Sequence, residues 1–117
     1  MSITRLDPGP RMSQGVAYGN LVFLAGQVAE TKAGQSVTEQ TTEILAQIDA
    51  LLDRAGTDKT RILSANIYLA DIATFGEMNK VWESWVVPGV TPARATIEAK
   101  LAAPQYTVEI QVVAAKK

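Results

Sequence analysis

From Ser36 to Gly56 the chain carries one uninterrupted amphipathic pattern, and the rest of the fold has to cover its apolar side. Ile44, Leu45, Ile48, Leu51, Leu52 and Ala55 recur at helical spacing, so they form a single stripe. Ser36 followed by Glu39 fits a capping box, which satisfies N–H groups that a helix start leaves unpaired. Gly56 tolerates the left-handed conformation that favours helix ends. The spacing predicts a helix over Thr38–Ala55, roughly 27 Å long at 1.5 Å per residue.

The flanking segments have period two. Val16-Ala17-Tyr18 and Leu21-Val22-Phe23-Leu24 flank Gly19-Asn20, predicting a hairpin across Gly15–Gly26. Arg61–Ala70 alternates into Ile62, Ala65, Ile67 and Leu69 and reads as a strand. Asp71 is placed to cap a second helix carrying Phe75, Met78, Trp82 and Trp85, which Pro88-Gly89 ends. Aromatics at such spacing are ordinarily core. Two further strands are expected at Arg94–Ala99 and Tyr106–Ala114, turning near Pro104. The order predicts a single α+β domain over residues 1–117, a mixed sheet with two helices packed on one face. A chain this short buries only about two-thirds of its unfolded surface, so partners could cover the remainder.

Composition narrows the chemistry. There is no cysteine and no histidine, which excludes thiol nucleophiles, disulfides, His/Cys zinc sites and histidine-based triads. Catalysis would run on carboxylates, arginine, hydroxyls, backbone dipoles and water. Twelve acidic against eleven basic residues leave a net charge of −1, so nucleic-acid binding, which draws on phosphate neutralisation, is not expected. Met1–Pro10 lacks the apolar stretch of a signal peptide, and no segment reaches membrane-spanning length; the expected location is cytoplasmic. Gly15, Gly19 and Gly26 do not form a phosphate loop, and Asp49 and Asp53 read as a solvated helix face rather than metal ligands.

Alternation assigns directions in the last two strands. Arg94, Thr96 and Glu98 share one face; Thr107, Glu109 and Gln111 oppose the apolar Val108, Ile110 and Val112. If the apolar side meets the helices, a polar face carries Arg94 and Glu109 on neighbouring strands. Two readings stay open: a cross-strand ion pair of ~0.2–1 kcal/mol, or a fixed guanidinium awaiting a carboxylate, for which the planar fork of arginine is suited.

Four stretches taken together resemble the RidA (YjgF-type) family over nearly the whole chain: Met12-Ser13-Gln14-Gly15 with Gly26-Gln27; Phe75 to Trp82, with Asn79 one turn after an aromatic; Pro92-Ala93-Arg94-Ala95-Thr96; and Val108-Glu109-Ile110. The resemblance implies a chorismate-mutase-like fold and a homotrimer in which three sheets enclose a central β-barrel, with clefts between subunits. It implies that Arg94 clamps a substrate carboxylate, that Glu109 activates the hydrolytic water, and that Asn79, Gly26, Thr96 and Met12 line the cleft. The implied activity is hydrolysis of reactive 2-imino acids, such as 2-aminoacrylate, to 2-keto acids and ammonia, with no metal or cofactor. Met12 stands where many active members have tyrosine, Ala25 where serine is common and Thr96 where cysteine is frequent. The two missing hydroxyls imply slower deamination or a more apolar substrate. A non-catalytic trimer binding small carboxylates is the alternative, and an endoribonuclease or translation inhibitor is disfavoured by the absent histidine.

Overall fold

The computed structural model describes residues 1–117. Six strands, β1 (Ile3–Leu6), β2 (Gly15–Tyr18), β3 (Leu21–Leu24), β4 (Ile62–Leu69), β5 (Ala93–Glu98) and β6 (Val108–Ala115), form one sheet in the order β1-β2-β3-β6-β4-β5. Helices α1 (Val37–Arg54) and α2 (Phe75–Trp85) cover one face. Only β4 and β5 pair in parallel, through the α2 crossover. The α+β class, the mixed sheet and the one-sided helix layer are those expected from the sequence.

Each local signal has a visible cause. Ser36 Oγ accepts the Glu39 N–H at 3.2 Å, which is the Ser36 half of the capping box. At the other end Gly56 takes φ +82°, and the Gly56 and Thr57 N–H groups close on Asp53 O and Leu52 O, a Schellman ending. Gly19 alone supplies the positive φ of the β2–β3 turn, at +59°. The uneven spacing between Ile62 and Ala65 reflects a bulge between Ile62 and Ser64, which puts both apolar residues on the buried side.

The stripe of α1 is buried through Ile44, Leu45, Ile48, Leu51 and Leu52, while Ala55 is only partly covered. It packs with Val22, Leu24, Ala65, Ile67, Leu69, Val108, Ile110 and Val112 of the sheet and with Met78 and Trp82 of α2. Glu77 of α2 accepts the Thr38 N–H and hydroxyl at 2.9 Å, joining the second helix to the start of the first.

Four expectations need correction. Strand β1 lies within Met1–Pro10, where the sequence predicts no element; its four residues are identified by pairing with β2, not by alternation. Asp71 caps a short 3₁₀ turn (Ile72–Thr74) ahead of α2, accepting the Ala73 N–H at 2.9 Å, rather than α2 itself. Strands β5 and β6 are not neighbours, because β4 lies between them. The uncovered sheet face is not simply polar: Ile3, Tyr18, Leu21, Phe23 and Ile97 stand exposed on it beside Glu109 and Gln111.

The C-terminus is fastened by charge. Asp58 caps a 3₁₀ turn (Lys59–Arg61) and lies 2.9 Å from Lys117 Nζ. The Thr60 hydroxyl, then Lys117, lower its pKa to about 2 from 3.8. A depressed carboxylate contributes stability above 3.8 and loses it as pH falls towards about 2. The denaturant midpoint of Asp58→Asn should therefore lie below that of the parent at neutral pH and converge on it through that window. A gap independent of pH would contradict this contribution.

Candidate functional site

Neighbours across the sheet point the same way, so register settles what alternation left open. Arg94 pairs with Ala65, Thr96 with Ile67 and Glu98 with Leu69, all three partners being buried under the helices. Arg94, Thr96 and Glu98 therefore lie on the helix side of the edge strand β5. Glu98 accepts the Ile72 N–H at 3.0 Å, which confirms the direction. Glu109 pairs with Tyr68 and lies on the uncovered side. Two inter-strand spacings and three residues of offset separate the Arg94 and Glu109 backbones by about 14 Å within one chain. The sheet thus places them on opposite faces, correcting the expectation of a shared polar face and excluding the cross-strand ion pair.

Arg94 is held by α2. Phe75, Asn79 and Trp82 recur at i, i+4 and i+7 and so share one helix face. Arg94 Nη1 donates to Asn79 Oδ1 at 2.8 Å. Its guanidinium carbon lies 5.6 Å from the Phe75 ring centroid and 5.5 Å from that of Trp82, within cation–π range of both. The residue is exposed, and neither ion pair of the chain involves it. A guanidinium oriented by an amide and two rings, with further N–H groups left over, suits a planar anion. Two residues along, Thr96 Oγ1 is shielded from water and has no hydrogen-bond partner within the chain.

Glu109 and Gly26 form the other group. A Cβ built on Gly26 would fall 2.1 Å from Glu109 Oε2 and 3.0 Å from its Cδ, so the carboxylate occupies the space a side chain would need. The Gln27 N–H and C=O bond to Ile110 at 2.8 and 3.0 Å, fixing the Gly26 segment against the residue after Glu109. Met12 is half exposed in the β1–β2 loop. Two residues later the Gln14 carbonyl accepts the Ala25 N–H at 2.9 Å, tying that loop to the Gly26 segment.

The predicted residues thus fall into two sets. Arg94, Asn79 and Thr96 belong to β5 and α2, whereas Glu109, Gly26 and Met12 belong to the β3–β6 side. Trp82 is core as expected and also flanks the arginine, together with the exposed Phe75; Asn79 interrupting the apolar stripe of α2 is the sequence signal for it. The arrangement can hold an anion at one set and present a carboxylate to water at the other.

A six-stranded mixed sheet backed by two helices matches the fold of YjgF family structures. The chain belongs to the family described as Endoribonuclease L-PSP, whose profile matches residues 2–116. It is 44% identical over 114 residues to a RutC family protein of Haemophilus influenzae, covering 97% of this chain and 98% of that one. The RutC family protein YoaB of Escherichia coli K12 is also 44% identical, with 98% and 99% covered. A crystal structure of a YjgF family member from Neisseria meningitidis superposes with a TM-score of 0.96 at 45% identity, covering 100% of this chain and 97% of that one. No helix is long and apolar enough to cross a membrane.

Proposed function

We propose that the chain assembles as a cytoplasmic homotrimer whose inter-subunit clefts hydrolyse 2-imino acids to 2-keto acids and ammonia. The observation that carries this reading is Arg94, exposed and oriented by Asn79 between two aromatic rings, with no carboxylate of its own chain to neutralise it. A small carboxylate is the anion its planar fork fits. Because Glu109 lies on the opposite face, a site using both groups needs a second copy of the chain. The exposed Ile3, Tyr18, Leu21, Phe23 and Ile97 supply an apolar surface for such an assembly, as a central barrel would require.

The chemistry is then short. Arg94 holds the carboxylate, and the adjacent carbon of the protonated imine is electrophilic. Glu109 takes a proton from water as its oxygen bonds to that carbon, then returns a proton to the nitrogen. The new hydroxyl then gives its remaining proton to Glu109 as its oxygen closes the carbonyl; the carbon–nitrogen bond breaks, ammonia leaves and takes up that proton as ammonium, and a 2-keto acid remains. Every step is within reach of a carboxylate and a bound water, in keeping with a chain that has no histidine or cysteine.

A second reading, a trimer that binds carboxylates without turning them over, is favoured by Met12 and Ala25, which offer no side-chain hydroxyl. Purified protein supplied with 2-imino acids generated in situ from a panel of amino acids distinguishes the two. Deamination predicts faster keto-acid and ammonia release, greatest for apolar side chains. Calorimetric binding of keto acids without rate enhancement would establish the second reading instead. Cleavage of RNA with no effect on imines would contradict both.

A further inference from the structure

Three glutamines ahead of, within and behind the Gly26 segment are joined in one chain of amides. Gln47 Nε2 of α1 donates to Gln27 Oε1 at 3.2 Å, and Gln27 Nε2 donates to Gln14 Oε1 and to Ala25 O, both at 3.1 Å. Gln47 also donates to Val28 O at 3.0 Å and accepts the Glu30 N–H at 3.2 Å. Gln27 is the central member and is buried, only 5% exposed. A buried amide left unbonded costs about 1–3 kcal/mol, so this geometry is held by its partners.

The chain of amides belongs to a longer row. Gln40, Glu43 and Gln47 lie along one edge of α1 at i, i+3 and i+7. Gln40 donates to Gln35 O and Gln105 O and accepts the Thr107 N–H, all within 3.0 Å. Glu43 receives the N–H groups of Thr31 and Lys32 at 3.0 and 2.9 Å, together with the Thr31 hydroxyl. That hydroxyl, ahead of the two N–H groups, holds the Glu43 carboxyl below its ordinary value. One helix edge thus fastens the segment after Gly26, against which the Glu109 carboxylate lies, and the approach to β6, the strand that carries Glu109.

We propose that Gln47, acting through Gln27, is a positioning residue for Glu109, a role that rests on the imine-hydrolysis reading of the site. The relay fixes the Gly26 backbone, and the Gly26 backbone limits where the Glu109 carboxylate can stand. Arg94 is bonded from α2 and lies outside the relay. Losing the relay should therefore disturb water activation and leave carboxylate capture unchanged.

Gln47→Met, Gln27→Met and the double variant test this. Methionine keeps length and helix propensity at Gln47, which is only half buried, so the first variant should fold. Each single change should lower kcat about tenfold with KM within about twofold of the parent, since small displacements of a reacting group are costly to the rate. The double variant should be no worse than the poorer single, because the residues act as one unit. Hydrogen exchange at the Gln27 N–H, bonded to Ile110 O, should accelerate about tenfold in Gln47→Met by local opening. Parent-like kcat in Gln47→Met, a rise in KM alone, or multiplicative losses in the double variant would overturn the proposal. If the parent protein shows no imine turnover, the functional reading fails, and exchange alone decides: faster exchange at Gln27 in Gln47→Met supports the relay, and unchanged exchange overturns it.

Discussion

Arg94→Ala is expected to lower kcat/KM for 2-imino acids by at least about a hundredfold and to abolish measurable binding of 2-keto acids. Two charge-assisted hydrogen bonds of about 1.5–3 kcal/mol each are removed, and each 1.4 kcal/mol is tenfold. The fold should survive, because Arg94 is an exposed residue of an edge strand whose side-chain hydrogen bond is to Asn79 alone. Arg94→Lys should recover little, since an ammonium keeps the charge but lacks the planar fork and its stacking between Phe75 and Trp82. Calorimetry with a keto acid and keto-acid release from imines check both variants. Unchanged binding and turnover in Arg94→Ala would remove the anion site proposed here.

Gly26→Ala should be nearly as damaging by a different route. Its methyl carbon would fall only 2.1 Å from Glu109 Oε2, so the carboxylate must swing away from its present place. The displaced atoms are the end of a flexible side chain, so melting temperature should change little while kcat falls about a hundredfold, the scale expected for ångström-sized misplacement. KM should stay near the parent value, because Arg94 lies on the other face of the sheet. Parent-like kcat would mean that the position of Glu109 does not matter to the reaction.

The contrast between these variants reflects what periodicity can and cannot carry. The α1 stripe, the hairpin around Gly19 and the buried positions of β4 follow from spacing because each is a local rule. Strand order is not local. Alternation correctly grouped Arg94 with Thr96 and Glu98, but the face that group meets depends on β4 lying between β5 and β6. Hence the polar strand positions suggested one shared face, where the molecule has two separated groups. Strand β1 was missed because Ile3-Thr4-Arg5-Leu6 is strand only through pairing with β2. The motifs around Gly26, Asn79, Arg94 and Glu109 singled out these candidates, and the contacts joining them in two pairs come from tertiary packing, which no motif spells out. The glutamine relay left no periodic trace, because its members come from a loop, a strand end and a helix.

If one protomer holds its guanidinium and its carboxylate on opposite sides of a sheet, they can meet only across a subunit boundary. A crystal structure of the assembled protein with a 2-keto acid bound puts this directly to view. The account predicts the ligand carboxylate on Arg94 of one protomer, with Glu109 of the adjacent protomer facing the keto carbon in the same cleft. A ligand seated away from Arg94, or an assembly that leaves the two residues in separate compartments, would contradict it.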